Sequence, residues 1–111
     1  MENLEMTQKL AVLTNVYQLI ASADGSVNPI RDNSIIDTVS NVLGFKSKNA
    51  FNLLWNGAIM SNPHEAFECV SKFSNSQKQQ FKQLILTVAN AGGNKIGRHN
   101  CAQQIFQFSH C

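Results

Sequence analysis

The stretch Ala21-Ser22-Ala23-Asp24-Gly25-Ser26-Val27-Asn28-Pro29 holds the residues best suited to chemistry. Asp24-Gly25 is a turn dipeptide, and Val27 follows at the spacing of an aliphatic that points back into a core. Together they form the second half of a calcium-loop pattern. Such a loop takes oxygen ligands from positions 1, 3 and 5, glycine at 6 and a bidentate Glu at 12. With Asp24 and Gly25 at positions 5 and 6, position 1 falls on Ile20, position 3 on Ser22 and position 12 on Arg31. An aliphatic and a cation stand where the two strongest ligands belong, so the loop does not work as a calcium loop. Asp24, with Asp32 and Asn28 close by, is the remainder from which a metal site would be built. A divalent cation is therefore the one cofactor the pattern leaves open. A turn role accounts for the same residues: Asp bonds turn amides or caps the next helix, and Gly25 accepts positive φ.

A second turn has the opposite chemistry. Gly92, Gly93 and Gly97 leave backbone amides accessible, Lys95 and Arg98 add positive charge, and a helix start follows. Gly92, Gly93, Lys95 and Arg98 together suit an anion, either a phosphate or a partner's carboxylate. A plain glycine-rich turn reads the same way, and the spacing is not that of a phosphate-binding P-loop.

Other reactive side chains form no recognised pattern. Cys69, Cys101 and Cys111 include no CxxC pair, and His99, Cys101, His110 and Cys111 lack paired zinc-ligand spacing. The reading is that Cys69 and Cys101 are small buried apolar groups and that His110-Cys111 belong to a frayed tail. A cysteine or serine nucleophile would need a histidine base and an orienting acid. The last third has no acid, so no catalytic residue is assigned and the chain does not read as an enzyme.

These residues sit among helices. Met6, Leu10, Leu13, Tyr17 and Ile20 recur at threes and fours and predict one apolar face of a long first helix ending before Asp24. Asn28-Pro29 starts a second helix with Ile35, Ile36, Val39, Val42 and Leu43 inward, closed by Gly44. Ser47 caps a third with Phe51, Leu54, Trp55 and Ala58 inward. Asn62-Pro63-His64-Glu65 opens a fourth, with Glu65 bonding back to the cap. Ser74-Asn75-Ser76 links to a fifth helix from about Gln77, carrying Phe81, Leu84, Ile85, Val88 and Ala89. Residues 91–97 (AGGNKIG) break that helix, and a sixth with Ala102, Ile105 and Phe106 frays near Ser109.

The expected fold is all-α: a single compact bundle of about six helices over residues 1–111. An apolar fraction of 43% supplies a core, and 14% charge is too little for a disordered chain. MENLEMTQKL shows no basic-then-apolar leader, no run approaches a membrane span, and the odd cysteine count suits a reducing compartment. The expectation is a soluble cytoplasmic protein. The net charge of +2 conceals an asymmetry: residues up to Glu68 sum to −3, and those from Cys69 onward to +5. That positive third is a surface for an acidic partner, or simply a solvated helix face.

Ile20–Pro29 and Val88–Arg98 echo one another, each following a long helix and preceding another. A helix–turn–helix pair thus recurs at the two ends of the chain. On these residues, LTNVYQLIASADGSVNPIRDNSIIDTVSNVLGF resembles the opening of the tellurite-resistance protein B (TerB)-like family, whose first helix leads into an A-D-G-x-[VI] turn. FKQLILTVANAGGNKIGRHNCAQQIF resembles that family's second helix pair. The resemblance spans nearly the whole chain. It implies an all-helical domain with divalent metal held by turn acids, and a link to stress and chemical resistance. Asp24 matches the first turn's acid. The acid expected seven residues later is Arg31, the second turn's Asp position is Gly92, and the last acid falls near His99 or Asn100.

The expected function is a non-catalytic helical interaction module with a degenerate metal site. Its partners would be an acidic protein or a second copy of the chain, with no specific nucleic acid. A divalent-metal-binding stress or resistance protein is the alternative. An anion- or lipid-binding helical protein is a further one.

Overall fold

A computed structural model describes residues 1–111 as six helices without strands: α1 (Met6–Asp24), α2 (Pro29–Val42), α3 (Lys48–Met60), α4 (Pro63–Ser71), α5 (Asn75–Ala89) and α6 (Lys95–Phe108). No helix is long and apolar enough to cross a membrane. The caps follow from local chemistry. Asn28 accepts bonds from the amides of Ile30 (2.9 Å) and Arg31 (3.2 Å), and Pro29 takes the first helical position, where its missing N–H does no harm. Ser47 accepts from Ala50 at 3.1 Å and Asn62 from His64 at 2.9 Å. Gly25, at φ 83°, closes α1 in the left-handed conformation.

α1 lies at the centre, packed against α3, α4, α5 and α6. Its buried positions include every residue from Ala11 to Val16, then Leu19 and Ile20. The expected single stripe is therefore corrected. A helix covered from several sides is apolar all round, whereas a stripe marks a helix with one free face. Met6 is exposed and Leu10 only half-buried. The two polar residues in this buried run bond to their own helix. Thr14 Oγ1 donates to the Leu10 carbonyl and Asn15 Nδ2 to that of Ala11, each at 2.8 Å.

The fifth stripe is buried throughout: Phe81, Leu84, Ile85, Val88 and Ala89. Ala102, Ile105 and Phe106 of α6 face it, and α5 packs closely on α6. α2 approaches no other helix so closely. Ile35, Val39 and Leu43 anchor it, while Val42 is exposed. The two end pairs are thus alike in order but not in packing.

Four local expectations change. Glu65 stays exposed and returns no bond to the Asn62 amide, so α4 has half a capping box. α5 has a full box at Ser74: its Oγ accepts from Gln77 N (3.1 Å), and its amide donates to Gln77 Oε1 (2.9 Å). α5 accordingly begins at Asn75. Asn94 caps α6 through the Gly97 amide at 3.0 Å, so Lys95, Ile96 and Gly97 are helical rather than part of the break. The chain end is tied down rather than frayed. Ser109 is fully buried, Cys111 N donates to the Phe106 carbonyl at 2.9 Å, and Lys78 Nζ reaches the His110 carbonyl at 3.2 Å.

Leu13→Ala should remove about 2–5 kcal/mol of stability, because its neighbours on all sides cannot collapse onto the gap. Met6→Ala should stay within about 0.5 kcal/mol, as an exposed substitution does. Urea unfolding of the dilute variants checks the pair.

Candidate functional site

Three helix ends meet at one place. Asp24 closes α1, Asp32 stands in the first turn of α2, and Arg98 stands in the first turn of α6. An acid at a helix C-terminus opposes the helix dipole and needs a cation or the positive end of another helix. Both are supplied here. The Asn94 amide, at the start of α6, donates to Asp24 Oδ1 at 2.6 Å, and Arg98 Nε donates to Asp24 Oδ2 at 2.8 Å.

The same guanidinium reaches the other acid. Arg98 Nη2 donates to Asp32 Oδ1 at 2.7 Å, and Nη1 donates to the Val88 carbonyl at 3.0 Å. All three of its nitrogens are therefore bonded, and the Arg98 and Asp32 side chains are fully buried. Arg31 closes the outer side: Nε and Nη2 form a fork onto Asp32 at 3.0 and 2.7 Å, and Nη2 also reaches the Ser26 carbonyl at 2.8 Å. The Asn28 amide donates to Asp32 Oδ2 at 2.9 Å. Every oxygen of the two carboxylates accepts at least one bond, and two acids balance two arginines.

Burial is the largest influence on the Asp32 carboxyl and would raise its pKa. The bonds from Arg31, the Asn28 amide and Arg98 together outweigh it and bring the value to about 2. Burial acts upward on Asp24 too, and there the Asn94 amide and Arg98 prevail, holding it below the usual carboxylate range. The Arg31 guanidinium is stabilised in turn, chiefly by its bond to Asp32.

Gly93 makes room for this knot. A Cβ there would fall 2.6 and 2.7 Å from the Asp24 oxygens and 2.8 Å from Arg98 Nη2, on a backbone at φ 61°. The Gly93 backbone is pressed against an internal ion pair. Of the residues grouped for an anion, Gly93 and Arg98 join the acids instead, while Lys95 is exposed and Gly92 lies half-buried in the turn. The metal candidates Asp24 and Asp32 are brought together, but around an arginine. Arg31, read as a lost ligand, is the second cation.

The two end pairs register best by their caps. Asn28 and Asn94 each cap a helix, and the residue four beyond each is Asp32 and Arg98. The corresponding side chains are of opposite charge and bond to one another. In that register Asp24 corresponds to Asn90, whose Oδ1 lies 2.7 Å from His99 Nε2. In the same register Gly97 corresponds to Arg31 and Arg98 to Asp32, so neither His99 nor Asn100 matches the first pair's positions. The shared cap-plus-four spacing is a signal in the sequence that finds Arg98 only once Asn94 is known to be a cap.

A divalent cation does not fit these residues. It would share two carboxylates with two guanidiniums already bonded to them, and no cluster of three or more His, Cys, Asp or Glu side chains is close enough to hold an ion. Cys69, Cys101 and Cys111 are each half-buried, and burial raises all three thiols, which disfavours the nucleophilic thiolate.

Both carboxyls have depressed folded pKa values, so their contribution to stability is complete above the unfolded value of 3.8 and is lost as the pH falls below it, for Asp32 towards about 2. Unfolding free energy should drop across that window. In Asp32→Asn the baseline should be lower and the drop shallower. Urea unfolding at a series of pH values measures both, and an unchanged slope in the variant would contradict the pairing.

Compared with models of protein families, with curated proteins and with solved structures, the chain matches none.

Proposed function

We propose that this chain is a non-catalytic helical interaction module of TerB-like type, in which a guanidinium of the protein itself takes the part of a divalent cation. One observation carries the reading: the Arg98 side chain, fully buried, bonds to Asp24 and Asp32 together. Two acids at helix ends need a positive charge between them, and an ion would supply it only while bound. Arg98 supplies it permanently, so the fold of the module does not depend on metal supply. Recognition then belongs to the surface of a rigid bundle. Arg98 is buried and paired, so the basic C-terminal third presents Lys72, Lys82 and Lys95 in the open and Lys78 in part. That is a surface for an acidic protein partner. A role in chemical stress is what the resemblance to the TerB-like family implies.

Calorimetric titration with calcium, magnesium, manganese and zinc should give no binding heat. Micromolar binding abolished by Asp24→Ala would favour a metal-binding resistance protein instead. Addition of poly-glutamate at low salt should shift amide resonances on α5 and at the start of α6, and the shifts should fade as salt is raised. Unmoved resonances would remove the acidic partner from this reading.

A further inference from the structure

α3 carries two stripes. The inner one holds the helix to the bundle through Phe51 and Ala58, with Leu54 and Trp55 packed at the edge of the core. The outer one is Asn49, Leu53, Asn56 and Met60, all exposed, at steps of four, three and four. That is the spacing at which one helix lines up against another. Leu53 is 78% exposed and Met60 88%, so neither contributes to the core. Beside the stripe, Met6, Asn49, Ala50, Leu53 and Leu54 line an open hollow of about 330 Å³ with mostly apolar walls. Met6 is itself 56% exposed.

Charge is missing from this face. No residue from Asn49 to Pro63 is ionisable, and the one charge on α3, Lys48, stands at its first position. An acidic or basic partner would find no opposite charge here. A second copy of the chain suits such a face, because a two-fold contact sets each patch against its own image and any net charge on it would repel itself. The polar members are self-complementary as well. An asparagine amide both donates and accepts, so Asn56 can pair with its own symmetry image, which neither Lys nor Glu can do.

We infer that the outer face of α3 is a homodimer interface, with two antiparallel copies of the helix crossing near Asn56. In that arrangement Leu53 packs on Met60 of the partner subunit. The helix dipoles oppose one another, and the hollow beside Leu53 can receive an apolar side chain from the second copy. This inference does not depend on the reading of the Arg98 knot.

Sedimentation equilibrium tests it on the intact chain, from about 10 μM to about 1 mM, the range suited to a contact built on one helix. The mass should rise with concentration from 12.3 kDa towards twice that value. Asn56→Lys places like charges at the two-fold axis and Leu53→Lys puts a charge into the apolar contact with Met60 of the partner subunit; each should hold the chain at the monomer mass with unchanged far-ultraviolet circular dichroism. Gln79→Lys, at an exposed position of α5, should still dimerise. A wild-type chain that stays monomeric throughout the range overturns the inference. A dimer that survives both lysine variants does so equally.

Discussion

The guanidinium of Arg98, enclosed between Asp24 and Asp32, fixes how the two ends of this chain meet. It joins the end of α1 to the beginnings of α2 and α6, across separations of 74 and 66 residues. Burying ions is costly, because each leaves water behind, and only near-complete pairing offsets that cost. Here the pairing is close to complete: the nitrogens of Arg98 and the oxygens of both acids are all bonded. Removing Arg98 would leave two buried acids sharing Arg31 alone, and removing one acid would leave Arg98 with only the other. α2, which packs least closely of the six helices, depends on this link and on Ile35, Val39 and Leu43 to hold its place.

Neutralising the acids internally also shapes the exterior. The chain has only 14% charged residues, and four of them are gathered in one knot. What remains outside is divided by region. Lysines are the only charged side chains on the surface of α5 and the start of α6, acids and basic residues mix on the earlier helices, and the outer face of α3 is uncharged. Such a division gives one molecule two unlike surfaces, one attractive to negative charge and one indifferent to it.

Much of this was legible in the residues. The caps at Asn28, Ser47 and Asn62, the buried stripe from Phe81 to Ala89 and the six-helix order all follow from local spacing and side-chain chemistry. Periodicity erred where a property depends on distant neighbours. Met6 fits the repeat of α1 but lies beyond the reach of the helices that cover Leu13. Ser109 looked like the start of a loose end, yet it is buried and the residues after it are bonded back to α6 and α5. Asp24 and Asp32 were recognised as belonging together. Their cation was not, because an arginine near a glycine turn reads locally as an anion site. Only the fold shows that the anions in question are the chain's own.

The most direct measurement is a comparison of unfolding free energies for Arg98→Met, for Asp24→Asn with Asp32→Asn, and for all three substitutions together. Arg98→Met alone should cost about 3–5 kcal/mol, since it leaves two buried carboxylates with the half-buried Arg31 as their one remaining cation. The triple variant should be less destabilised than the sum of the other two by at least about 2 kcal/mol, because it removes the charges along with their counter-ion. Strictly additive losses would mean that the three side chains do not act as one unit, and would contradict the knot as the organising feature of this fold.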